Sequence, residues 1–182
     1  LEIYETVKYL TGKLREPRLH SVVVTLAKAM LINSKLACNA DEAEVKINHA
    51  LSSGKAAEIF SKMISALGGP NDLLEQPWRS MNKATHIVEI LSPVNGYINS
   101  MQTKEIGFSV VELGGGRLSN DQAIDHSVGF DRILPIGTRV NRGDIIARVH
   151  ANSINSAEQA SLQFSNAISY SDEPVTEPRV IY

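Results

Sequence analysis

Two short stretches hold side chains whose types and spacing could do chemistry. Gly114-Gly115-Gly116-Arg117 sets three residues without side chains beside a guanidinium. That composition allows a mobile loop to bring a fixed cation up to an anion. The competing reading is a plain flexible turn, because no helix start is expected after it to focus charge on a phosphate. Asp125-His126 has the residue types of an acid–base pair. Adjacent residues on a strand point to opposite faces, so a solvated or core-edge imidazole competes with that reading. Gly115, Gly116, Arg117 and His126 are therefore candidates for substrate binding, and no residue is assigned a catalytic role. His20, His49 and His86 share no ligand spacing, and His150 reads as a loop residue beyond the last strand, so no metal site is expected. Cys38 reads as an inert, small apolar residue. Asp41-Glu42 read as acids favoured at a helix start, and Pro77-Trp78 as an anchor for a connector.

The elements that would position these residues change character near residue 84. Before it the period is helical. Leu1, Tyr4, Val7 and Leu10 mark one helix, ended by Gly12. Glu16-Pro17 opens a second. Its stripe of Leu19, Val22, Val23, Leu26, Ala27, Met30 and Leu31 is wide enough to predict burial on most sides. Asn39 with Glu42 forms a capping box for a third helix, with Ala43, Ile47, Ala50 and Leu51 inward. After Ser53-Gly54 a fourth helix turns Ala56, Phe60, Met63 and Leu67 inward and stops at Gly68-Gly69-Pro70. Beyond residue 84 the pattern becomes one of strands. Ile87–Leu91 and Tyr97-Ile98 are strand candidates, Phe108–Leu113 alternates loosely, and Ile136–Val149 reads as short strands between glycine turns. Asn155 and Glu158 predict the cap of a last helix with Ala157, Ala160, Phe164, Ala167 and Ile168 on one face. Val180-Ile181-Tyr182 ends an extended tail as an edge-strand candidate. The expected division is residues 1–83, a helical layer, and residues 84–182, a β module with a closing helix and tail. In fold class this is an α+β fragment of a larger α/β domain.

Length and composition bound the rest. The chain has 182 residues, 43% of them apolar, enough for a real core. A net charge of -2 with no basic run gives no electrostatic case for nucleic acid or an anionic membrane. No apolar run approaches the ~20 residues that span a bilayer. A single cysteine excludes a disulfide framework within the chain and fits a reducing, cytosolic compartment. The first residue is Leu, already inside an amphipathic pattern, which leads to the expectation that these residues belong to a longer polypeptide.

The spacing Gly137-x-x-Val140-x-x-Gly143-Asp144-x-Ile146, with Ser92-Pro93-x-x-Gly96-Tyr97-Ile98 upstream, resembles the barrel-sandwich of biotinyl and lipoyl carrier domains. Carrier chemistry needs a lysine at a hairpin tip to be acylated, and no lysine follows Lys104. A stand-alone biotinyl/lipoyl-like binding or interaction module without enzymatic activity is thus the alternative reading, with cofactor attachment disfavoured. A resemblance covering the whole chain is more specific. Leu1-Glu2-Ile3 through Leu10-Thr11-Gly12 with Pro17-Arg18-Leu19, then Ser53–Phe60, then Gly114–Arg117 followed by Ala123–Phe130, resemble in order and spacing the carboxy-terminal half of pyrimidine nucleoside phosphorylases of the thymidine phosphorylase type. The resemblance implies reversible phosphorolysis of thymidine, with inorganic phosphate as co-substrate and no other cofactor. It also implies a cytoplasmic homodimer, and a partner in the amino-terminal part of the same enzyme, where the family's phosphate loop and base-holding residues lie. Some members bind an alkali ion, whose ligands match no motif here. Alone, these residues are expected to be inactive.

Overall fold

A computed structural model describes residues 1–117 and 119–179. The expected strand at Val180-Ile181-Tyr182 lies outside the described residues. Two compact units separate in the chain, one built from Glu2–Met81 and the other from Asn82–Pro178 with Leu1.

The first unit is helical: α1 (Glu2–Leu10), α2 (Pro17–Asn33), α3 (Ala40–Ser52) and α4 (Lys55–Ala66), with a 3-10 turn at Pro77–Arg79. Local chemistry explains the ends. The Glu16 carboxylate accepts from the N–H groups of Arg18 and Leu19, and Pro17 fills the first helical position, where its missing N–H costs nothing. Asn39 accepts from Glu42 N–H at 2.9 Å. Glu42 in turn accepts from Cys38 N–H at 2.8 Å, one residue earlier than a capping box would place that bond. Cys38 is exposed at this helix start, contrary to its expected apolar role. The inward face of α3 is as expected at Ala43, Ile47 and Leu51. Ile47 and Leu51, with Tyr9, meet the α2 stripe Leu19, Val23, Ala27 and Leu31. Tyr4 packs on Trp78, ring centres 4.3 Å apart, so the 3-10 turn is tied to α1.

Two expectations fail in this unit. α2 has no fully buried residue, because its packed neighbour α3 covers only one side of its apolar surface. In α4, Met63 and Leu67 point to solvent, 49% and 78% exposed, and Ala57 is the buried residue instead. Apolar type made both helices look inward; among the described residues, no element of the helical unit covers those faces.

The second unit is built from two three-stranded antiparallel sheets. Strands β1 (His86–Leu91), β5 (Ile145–Ala151) and β3 (Gly129–Asp131) form one, in the order β1-β5-β3. Strands β4 (Arg139–Val140), β2 (Gly96–Met101) and β6 (Ile168–Ser171) form the other, in the order β4-β2-β6. Their inward residues, among them Ile90, Ile146, Val149, Ile98 and Val140, share one core with α6 (Ile154–Asn166). Ala157, Ala160 and Phe164 supply the α6 face, as the periodicity predicts. Gly96 is required where β2 meets β6, since a Cβ there would lie 2.6 Å from Ser171 O and its φ is 151°.

Three local expectations are corrected here. Residues 108–113 are not a strand: Thr103–Val110 forms α5, with Ile106 and Ser109 buried three residues apart, and Val111–Gly115 follows as a π turn. The α6 cap is Ser153, whose Oγ accepts from Ser156 N–H at 3.1 Å, rather than Asn155. Ile168 begins β6 instead of ending the helix. The outcome is an α+β arrangement of helices and two antiparallel sheets.

Candidate functional site

Chemistry-bearing side chains gather at two places in the second unit. The first is the β3–β5 pair. Asp131 stands opposite Arg148, and Gly129 opposite His150. Arg148 and His150 are two residues apart on β5 and so project from the same face. Glycine opposite His150 leaves the diagonal open for Asp131 to reach it. Arg148 Nε donates to Asp131 Oδ1 at 2.8 Å and Nη2 to Oδ2, a two-pronged pair. His150 Nε2 lies 3.2 Å from Asp131 Oδ1, within ion-pair range but without the alignment of a hydrogen bond. Burial alone would raise the Asp131 carboxyl. The His150 and Arg148 side chains outweigh it and hold the group well below the usual carboxylate range. The hydrogen bonds that Arg148 donates to Asp131 raise the guanidinium in return.

The second place is the turn before β3. The Asp125 carboxylate accepts from Ser127 N–H at 2.9 Å, Ser127 Oγ at 2.6 Å, and the Asn152 amide. Asn152 Oδ1 accepts from Thr85 N–H at 3.1 Å, so one side chain links the turn to the entry of β1. The Ser127 bonds, and more weakly that from Asn152, lower the Asp125 carboxyl.

The structure brings the two sequence-selected stretches together. Asp125 N–H donates to Gly114 O at 2.8 Å. The glycines sit at a helix carboxy end, where carbonyls rather than N–H groups are free. They are also packed. A Cβ on Gly115 would lie 2.8 Å from Val110 Cγ1, and one on Gly116 2.6 Å from Val111 Cγ2. A flexible loop is thus not what the sequence Gly114–Gly116 forms: these residues are small so that the chain can fold back on α5. Arg117 and His126 are exposed.

His150 is in β5 and 6% exposed, not in a loop. Its role was missed together with those of Asp131 and Arg148, although Arg148-x-His150 in an alternating apolar run carried the signal. Of the other histidines, His20 shares a 2.7 Å hydrogen bond with the Tyr9 hydroxyl. Among the described residues no three His, Cys, Asp or Glu side chains cluster to hold a metal ion. A cavity of about 220 Å³ lies between α5 and α6, and in it the Gln163 amide donates to Glu112 at 2.6 Å. No helix is long and apolar enough, among the described residues, to cross a membrane.

Against known proteins, residues 97–171 match the family described as pyrimidine nucleoside phosphorylase C-terminal domain. Over all 182 residues the chain is 57% identical to a thymidine phosphorylase of Colwellia psychrerythraea, of which it covers 42%. It is 38% identical over its whole length to a thymidine phosphorylase of Rhizobium meliloti, covering 41%. A Burkholderia cenocepacia thymidine phosphorylase is 42% identical over 160 residues, 88% of this chain and 36% of that relative. The chain therefore spans about two fifths of the length of the curated relatives it matches.

Proposed function

The chain belongs to the pyrimidine nucleoside phosphorylase family, in its carboxy-terminal portion, and from that premise we propose that it serves as the scaffold of a thymidine phosphorylase. The reaction is reversible phosphorolysis: phosphate attacks C1 of the deoxyribose, the bond to the base breaks with its electron pair leaving on thymine, and 2-deoxyribose 1-phosphate forms. The observation that carries this reading is 57% identity over an alignment that spans all 182 residues of the chain. The polar groups gathered in the second unit favour a scaffold role. Asp131 and Asp125 are engaged by neighbours in this chain, which is how structural carboxylates are used. Binding of phosphate and base, and the stabilisation of charge on the departing base, belong on this reading to the amino-terminal part of the enzyme. The full enzyme is a cytoplasmic homodimer that needs no cofactor beyond phosphate. Arg117 and His126 stay the candidates by which this chain would touch a substrate, being exposed side by side with the packed glycine turn.

For the second unit we propose a barrel-sandwich, with the domain division near residue 83. Supporting it, one segment bonds to both sheets: Leu134 N–H donates to Ile146 O at 2.9 Å, and Gly137 N–H to Ile98 O at 2.8 Å. The test of function is direct. The purified chain, given thymidine and phosphate, yields no 2-deoxyribose 1-phosphate. Adding the amino-terminal part of the Colwellia relative yields product. Turnover by the chain alone would sink the scaffold reading.

A further inference from the structure

α2 carries two apolar stripes. Leu19, Val23, Ala27 and Leu31 face the core of the helical unit. Val22, Leu26, Ala29 and Met30 recur at i, i+4, i+7 and i+8 along a second stripe. Leu26 is 55% and Met30 70% exposed. A solvent face of a helix normally bears charge, as α4 does at Lys55, Glu58 and Lys62. Between Leu19 and Ile32 the one Lys or Arg of α2 is Lys28, and it is engaged by Glu44 of α3. The second stripe is bordered by Ser21 and Thr25, small groups that would not resist burial.

We infer that this outward stripe of α2 is the seat on which the amino-terminal remainder of the full-length enzyme packs. The inference rests on the scaffold reading above and names its contact surface. The occupant follows from length. Identity with the Colwellia relative runs through the whole chain, yet the chain covers 42% of that protein, so more than half of its residues have no counterpart here. An uncharged apolar stripe matches an interface inside one protein, formed once and kept, better than an encounter surface that must stay soluble.

The experiment pairs this chain with the amino-terminal remainder of the Colwellia relative, co-expressed as two polypeptides. The Met30 thioether reports the surface without a mutation, since peroxide converts an accessible methionine to its sulfoxide. Met30 oxidises readily in the chain alone and at least about tenfold more slowly in the complex, as expected for a side chain removed from solvent. The double substitution L26E/M30E weakens association by roughly tenfold or more, a charge buried without a partner being costly. L162E, on an exposed residue of α6, leaves association unchanged. Circular dichroism checks that each variant keeps its helices. If the pair assembles and turns over thymidine while Met30 stays reactive and L26E/M30E binds normally, the surface is overturned and the scaffold reading stands. If the chain pairs with itself through this stripe and the remainder does not displace it, the occupant is a second copy and the inference falls. If the pair neither assembles nor turns over thymidine, both fall together.

Discussion

The two units enclose their apolar side chains to different degrees. In the β unit, Phe164, Ile98, Ile146, Val140 and Val149 are almost completely enclosed, whereas in the helical unit only Val7 among the large side chains reaches that state. Two sheets and α6 close around one another, so each inward face of the β unit finds a partner within about ninety residues of chain. The helices have apolar surface on more than one side and neighbours on too few. α2 packs on α3, α3 on α4, and the outward residues Leu26, Met30, Ile59, Met63 and Leu67 stay in water. The difference teaches that burial is a property of the assembled layer, not of the helix. A closed core can be tested by removing a piece of it, and an open face by showing that nothing happens.

The largest effect belongs to the closed core. Phe164→Ala removes a ring that is 1% exposed and packed 5.1 Å, centre to centre, from Phe130. The expected loss is about 3–5 kcal/mol, because the surrounding sheets relax only partly into the cavity. Denaturant unfolding of the β unit, followed by amide exchange in β2 and β5, reads it. A loss near that of a surface change would break the contrast between the units. Next comes Gly115→Ala. The new methyl meets Val110 Cγ1 at 2.8 Å and Val110 O at 3.1 Å, so about 1–3 kcal/mol is lost to overpacking. A flexible loop would tolerate the same change or gain slightly from a stiffer unfolded chain. The sign of this one shift separates a packed helix end from a mobile anion loop.

What could be read from sequence was the short-range part. The α6 face, from Ala157 to Phe164, and the α3 face of Ala43, Ile47 and Leu51 obey a 3.6-residue period that the chain carries locally. The Thr103–Val110 helix was hidden because Phe108-Ser109-Val110-Val111 is β-branched and aromatic, and the packing of Ile106 into the shared core decides for helix. Arg148-x-His150 was readable as a pair on one strand face, but its partner Asp131 was hidden for a different reason. It depends on register across 17 residues, and a slip by one would turn Arg148 away. Family likeness, carried by ordered motifs rather than by any site, gave the functional reading its direction, whereas the candidate site residues Arg117 and His126 remain to be tested by substitution and substrate affinity.

Register is what Asp131→Asn probes. The change leaves Arg148 and His150 without their anion, at a cost of roughly 1–2 kcal/mol for partly solvated charged hydrogen bonds. The pH dependence has a definite sign. The folded carboxyl is held below its ordinary value of 3.8, so its stabilisation is full above that value and is lost as the pH falls toward the folded one. Wild type and Asp131→Asn therefore converge in strong acid, where the carboxyl is protonated in the folded and the unfolded chain alike. Unfolding midpoints measured from neutral to strongly acidic pH decide; a gap that stayed undiminished in strong acid would show that Asp131 is not the group being stabilised.

The smallest expected shift is also the sharpest statement about the helical unit. Leu26→Glu in the chain alone alters a side chain already 55% in water, on a helix with no fully buried residue. Glutamate is nearly as good a helix former as leucine, and no apolar contact of the Tyr9–Ile47–Leu51 cluster is broken. Stability should move by no more than about 0.5 kcal/mol. Val7→Ala, 1% exposed on α1 of the same unit, gives the internal scale, with a loss of about 1–3 kcal/mol expected for a buried truncation. If Leu26→Glu costs as much as Val7→Ala, then α2 is already covered in the isolated chain and the open face does not exist. If it costs nothing alone but destabilises the assembled enzyme, the penalty arises from packing that the other part of the polypeptide supplies.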